Sequence, residues 1–66
     1  MKNWEHRIHS DLAILRGKPV IKGTRLSVEF LLERLADGWK EEDLLENYPR
    51  LTPEDIQAVF AYALEG

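Results

Sequence analysis

The chain has 66 residues, no cysteine, 44% hydrophobic residues, and nine Lys+Arg against twelve Asp+Glu for a formal charge of −3. That composition is too apolar for a disordered segment and suits one small domain, and the missing thiols exclude disulfides and thiolate zinc sites. No apolar run approaches the roughly 18–20 residues of a membrane span and no apolar stretch follows Met1–Arg7, so neither membrane insertion nor a secretory signal is expected and the cytoplasm is the expected location.

Residues 1–26 read as a β-containing arm and residues 27–66 as a trihelical unit, the two together making a single domain. In the arm, Leu12–Leu15 and Pro19–Ile21 flank Arg16–Gly17–Lys18, which reads as a short hairpin. A second pairing, Arg7–His9 against Thr24–Leu26, is equally open to periodicity. Pro19 cannot donate a ladder hydrogen bond, so its strand must be very short or at an edge. Gly17 and Gly23 are the expected turn glycines.

From Ser27 the pattern becomes helical. Ser27 is the expected N-cap, and Val28, Leu31, Leu32 and Leu35 follow at i, i+3, i+4 and i+7 as one apolar stripe. Gly38 is placed to end this helix in a left-handed conformation. A second helix is expected over Lys40–Asn47, with Glu41, Glu42 and Asp43 in the first turn, where the dipole favours carboxylates. Pro49 keeps Tyr48 out of the α region and stops it. Thr52 then caps a third helix that opens Pro53–Glu54–Asp55, with Ile56, Val59, Phe60, Ala63 and Leu64 as its expected inner face. Trp4, Ile8, Val20, Ile21 and Leu26 are expected to close the core on the arm side.

Charge is unevenly placed. Residues 1–34 carry seven bases and four acids, residues 35–66 two bases and eight acids. Four of the bases, Arg16, Lys18, Lys22 and Arg25, lie in a ten-residue stretch without an acid, which is where an anionic partner would bind. Other chemistry finds little support. His6 and His9 lack a third ligand for a metal, no nucleophile–base constellation exists, and the acidic second helix reads as a solvated face. No enzymatic activity, metal or cofactor is expected. Trp4, Trp39, Tyr48 and Phe60 fit core or interface packing, and Phe30 and Tyr62, off the main stripes, are the expected partner-facing patch.

The run Gly17–Lys18–Pro19–Val20–Ile21–Lys22–Gly23–Thr24–Arg25–Leu26–Ser27–Val28 resembles the signature of the prokaryotic domain-of-unknown-function 433 family. Leu35–Trp39, Glu42–Pro49 and Leu51–Ile56 agree with it, and the likeness covers roughly residues 5–63. Lys40 departs from it, standing where a small capping residue is more usual, and so does Leu12, where Asp11 would often be followed by proline. The resemblance implies a mainly α, helix-turn-helix or winged-helix-like fold with a short β arm. It also implies an antitoxin of VapB type, cytoplasmic, neutralising a PIN-like ribonuclease toxin and contacting operator DNA.

The residues discriminate between these roles. A helix-turn-helix reads DNA with its second helix, yet here that helix, Thr52–Glu65, opens with two acids and carries no Lys or Arg. The DNA contacts would fall instead on Arg16, Lys18, Lys22 and Arg25. The same residues suit the carboxylate-lined metal site of a PIN-like nuclease, where an arginine fork pairs bidentately; Arg25 and Arg16 are the candidates. A stand-alone DNA-binding regulator and an oligomerising adaptor are the alternative functions. A core this small rarely supplies more than about 3–5 kcal/mol, so a homodimer, a higher oligomer or a partner chain is expected.

Overall fold

The computed structural model describes residues 4–65, so Lys2, one of the seven bases counted above, lies outside the described residues. β1 (Ile8–His9) and β2 (Val20–Ile21) pair antiparallel, with Ile8 opposite Ile21 and His9 opposite Val20. Neither expected pairing is found. Asp11 turns the chain first: its Oδ1 accepts from the Ala13 N–H at 2.9 Å and its carbonyl from the Ile14 N–H at 2.8 Å. Leu15 and Arg16 then take φ values of 49° and 59° within a 3-10 turn over Leu15–Gly17, and two successive left-handed residues cannot extend a strand. Leu12–Leu15 is therefore loop, with Leu12 87% exposed.

Of the expected Arg7–His9 strand, Ile8–His9 does form, but its partner is β2 rather than Thr24–Leu26. That second segment folds onto the opposite edge of β2. The Ile21 N–H donates to the Leu26 carbonyl and the Val28 N–H to the Pro19 carbonyl, both at 2.9 Å, and Val20 bridges to Ser27. A two-residue strand is thus held from both sides, and Pro19, with no N–H to give, contributes through its carbonyl alone. Thr24 closes the intervening turn, its Oγ1 donating to the Ile21 carbonyl and accepting from the Leu26 N–H, while Gly23 takes the positive φ of 82°.

Three helices follow: α1 (Val28–Ala36), α2 (Glu41–Asn47) and α3 (Pro53–Glu65). The Ser27 Oγ accepts from the Phe30 N–H at 2.9 Å and starts α1. Its far end is a Schellman motif: the Gly38 N–H donates to the Leu35 carbonyl, the Trp39 N–H to the Arg34 carbonyl, and Gly38 has φ 102°. At α2 the Lys40 N–H donates to the Asp43 Oδ2 at 2.8 Å, half of a capping box, because an ammonium accepts nothing in return. Tyr48, with ψ of 84° before Pro49, leaves the helical region and ends α2. The α3 box is complete, with Thr52 Oγ1 accepting from the Asp55 N–H and Asp55 Oδ2 from the Thr52 N–H, each at 3.1 Å.

One core joins arm and helices: Ile8, Ile21, Val28, Leu31, Leu44, Leu51, Ile56, Ala58 and Val59 are buried together, with Val20 buried under the sheet and Trp4 and Leu26 packed at the margin. The inner face of α3 differs from the expected one. Asp55, Ile56, Ala58 and Val59 point inward, whereas Ala63 is exposed and Phe60 and Leu64 stand out at 43% and 90% exposure. From Ile56 to Leu64 every residue but Gln57 is apolar, so α3 has no hydrophobic stripe to orient it. Asp55 supplies the orientation. Its Oδ1 accepts from the Arg7 Nη1 at 3.0 Å, which fastens that side of the helix to the arm. The result is a mainly helical domain of three helices and a short antiparallel strand pair.

Candidate functional site

The four bases of the Arg16–Arg25 segment do not remain equivalent once folded. Lys18 donates through Nζ to the Glu29 Oε1 at 2.9 Å. This hydrogen bond, and then the Glu29 charge, raise the Lys18 ammonium above its ordinary 10.5. Arg16, Lys22 and Arg25 are exposed, and their side chains form no hydrogen bond or ion pair among the described residues. Arg16, Lys18 and Arg25 line one concavity of about 550 Å³, together with Leu15, Leu26 and Phe30. Lys22 stands apart from it, its N–H tied to the Arg7 carbonyl beside β1. The left-handed turn at Leu15–Arg16 brings Arg16 across to Arg25, a juxtaposition that nine residues of separation do not reveal.

Arg25 and Leu26 form a ridge, because they also line a second and larger cleft of about 820 Å³. One wall is the Gly23–Leu26 turn with His9 and Ile14; the other is the α2–α3 connection, Asn47–Arg50. The Arg50 Nη1 donates to the Gly23 carbonyl at 3.0 Å and ties the walls together. Among the described residues none of the ten that line the cleft is acidic, although the chain holds twelve acids. Arg50, Tyr48 and Ile14 are site residues that the sequence did not single out. Arg50 is an isolated base after a proline, and only folding places it against Gly23.

Behind the cleft lies an aromatic cluster. Phe30 meets Tyr48 edge-on at 5.8 Å, Trp39 stacks on Tyr48 at 6.5 Å, and the Arg34 guanidinium lies 5.3 Å from the Phe30 ring and 6.0 Å from that of Trp39. Phe30 is therefore a half-buried, packed residue rather than a fully open patch, with part of its surface lining the Arg16–Arg25 concavity. The same correction holds for Tyr62, which packs edge-on against Trp4 at 4.9 Å. The exposed aromatic is Phe60.

The turn glycines Gly17, Gly23 and Gly38 all have positive φ, of 85°, 82° and 102°. Ser27 and Thr52 are occupied as helix caps. Among the described residues no group of three or more His, Cys, Asp or Glu is arranged to hold a metal ion, and no helix is long and apolar enough to cross a membrane.

No curated protein matches the chain. A solved structure does: a DUF433 member protein from Anabaena variabilis ATCC 29413 is similar with a TM-score of 0.89 and 31% sequence identity. The match covers 94% of this chain and 61% of that one, so the chain spans about three-fifths of the relative's length. A family described as "Protein of unknown function (DUF433)" matches residues 8–63. With that match over most of its length and the signature turn built around Gly17, Gly23 and Arg25, the chain belongs to the DUF433 family.

Proposed function

We propose that the chain is a non-catalytic binding module, an antitoxin-like protein of the cytoplasm whose Arg16 and Arg25 engage the carboxylate cluster of a PIN-like ribonuclease. One observation carries this reading. Two exposed guanidinium groups, unpaired among the described residues, line the same concavity, while the neighbouring ammonium of Lys18 is already tied to Glu29. An arginine fork pairs with a carboxylate through two parallel hydrogen bonds, so a pair of them can occupy the ligands that a divalent metal and an RNA phosphate need. The exposed Leu15 and the half-buried Leu26 beside them offer apolar area around the charges.

An operator-DNA contact would use the same cations and not α3. At its N-terminus Asp55 is committed to Thr52 and Arg7, Glu54 is exposed, and the helix carries no base. Phosphate neutralisation, the main source of DNA affinity, is missing there.

The test is co-expression with the protein encoded by the neighbouring reading frame, followed by an RNA-cleavage assay on the purified complex. The wild-type chain suppresses cleavage, and the double variant Arg16→Ala/Arg25→Ala releases at least about tenfold more activity, as expected for losing two charge-assisted pairs. Full inhibition by the double variant overturns the reading. Salt-dependent DNA binding by the isolated chain, with no nuclease captured, would replace it with a DNA-binding regulator.

A further inference from the structure

We infer that the cleft between the Gly23–Leu26 turn and the Tyr48–Arg50 connection is a docking site for an acidic peptide segment of the partner protein that carries a bulky apolar anchor residue. The inference rests on the reading of the chain as a protein-binding module and assigns it a second contact, separate from the Arg16 side of the ridge.

Three features of the cleft select this occupant. The floor is apolar, built from Ile14, Leu26 and the ring of Tyr48, and the open cleft, at about 820 Å³, falls in the size range of ligand sites and has room for a large side chain. The rim is cationic, with Arg25 and Arg50 beside the floor and no carboxylate among the described lining residues, in a chain whose net charge is −3. A local excess of positive charge in an acidic protein attracts negative groups to that place and repels them elsewhere. The walls are also fixed in advance. The Arg50 Nη1 bond to the Gly23 carbonyl closes one side and leaves its other N–H groups for a ligand, and Phe30 and Trp39 hold Tyr48 from behind. A preformed site loses little entropy on binding.

Nucleic acid is the poorer fit. A single strand needs a row of cations and successive open aromatic faces. Among the described lining residues only Tyr48 and His9 carry an aromatic ring, and the Tyr48 ring packs against Trp39, so no row of open faces is present. An apolar floor beside two guanidinium groups suits a Leu or Trp side chain flanked by carboxylates.

The probe is a labelled peptide, Glu-Asp-Trp-Leu-Glu-Asp, titrated into the whole chain and followed by fluorescence anisotropy and by amide chemical shifts. Binding should perturb Ile14, Leu26, Tyr48 and Arg50, and should weaken about tenfold in Arg50→Ala, the loss expected for one charge-assisted hydrogen bond. Ile14→Ser, a change in a surface loop, provides a second variant with the same expected direction. Replacing the acids of the peptide by their amides, or Trp-Leu by Ser-Gly, should also weaken it about tenfold. Equal binding of either altered peptide, tighter binding of a short oligo(dT), or shifts confined to Leu15 and Phe30 would overturn the inference. Because Arg50 and Ile14 belong to this cleft and Arg16 does not, failure here with nuclease inhibition still dependent on Arg16 leaves the proposed function standing. Peptide binding without any nuclease inhibition has the opposite meaning.

Discussion

Asp55 shows how much a single buried carboxylate does in a domain of this size. It is 7% exposed, closes the α3 capping box with one oxygen and holds Arg7 with the other. Removing it leaves the Thr52 N–H and the Arg7 guanidinium without their acceptor, so Asp55→Ala should cost about 2–4 kcal/mol in urea denaturation. The half-exposed Arg7 should cost less on its own, and a double-mutant cycle should show coupling of about 1 kcal/mol or more, since the two residues share one hydrogen bond. Additive effects would mean that the pair does not fasten α3 to the arm. Lys18 makes a contrasting case, because its ion pair with Glu29 is open to water on both sides. Its folded-state pKa is raised by the Glu29 hydrogen bond and charge. Whatever stability the pair gives is therefore complete below pH 10.5 and is lost as the pH rises through the higher folded value. An NMR titration of the Lys18 side chain should place its midpoint above 10.5 in the wild type and return it toward that value in Glu29→Gln. An unchanged midpoint in the variant would remove Glu29 as the cause. The charge run was legible in the sequence, whereas the pairing of Lys18 was not. Glu29 is eleven residues away, and only the β2 turn brings the two together.

The helices are written locally and the sheet is not. Ser27, Gly38, Pro49 and Thr52 each mark a helix end through chemistry confined to three or four residues, so these boundaries could be read before any tertiary contact was known. The two strands are two residues each, too short for alternation to register, and their pairing depends on a loop that is reversed by left-handed Leu15 and Arg16. The face of α3 was unreadable for the opposite reason, an excess of apolar residues. Helix α2 offers the clearest room for improvement. Lys40 has φ −94° and ψ 165°, the extended geometry of an N-cap, and Asp43 already reaches back to its N–H. Lys40→Ser would add the missing acceptor and should stabilise the domain by about 0.5–1 kcal/mol, measurable as a higher urea midpoint with an unchanged m-value. No gain would show that the first turn of α2 is already satisfied. Gly38→Ala should act the other way. Nothing within 4 Å meets an added Cβ, so its expected cost of about 1–2 kcal/mol is that of the left-handed backbone alone.

At the scale of the whole molecule, a 66-residue chain without cross-links has one core and a margin that a single core substitution can remove. Ile56 is fully buried and Leu64 is 90% exposed on the same helix, so Ile56→Ala should cost about 2–4 kcal/mol and Leu64→Ala less than about 0.5 kcal/mol. Such a chain gains more from a bound partner than a large domain does, because the same free energy moves its midpoint further. At a partner concentration one hundred times Kd, binding to the folded state alone adds about 2.7 kcal/mol. Each kcal/mol shifts the midpoint of a 60–100-residue domain by roughly 4–8 °C, so the proposed nuclease partner should raise the melting temperature by about 10–20 °C. The Arg16→Ala/Arg25→Ala variant separates recognition from folding in this experiment. Both side chains are exposed and unpaired among the described residues, so the free variant should melt within about 2–4 °C of the wild type, as surface changes of up to about 0.5 kcal/mol allow. Its partner-dependent shift should be lost. A variant that keeps the full shift would show that the partner grips the domain elsewhere. A variant that already melts early when free would show that the two arginines support the fold.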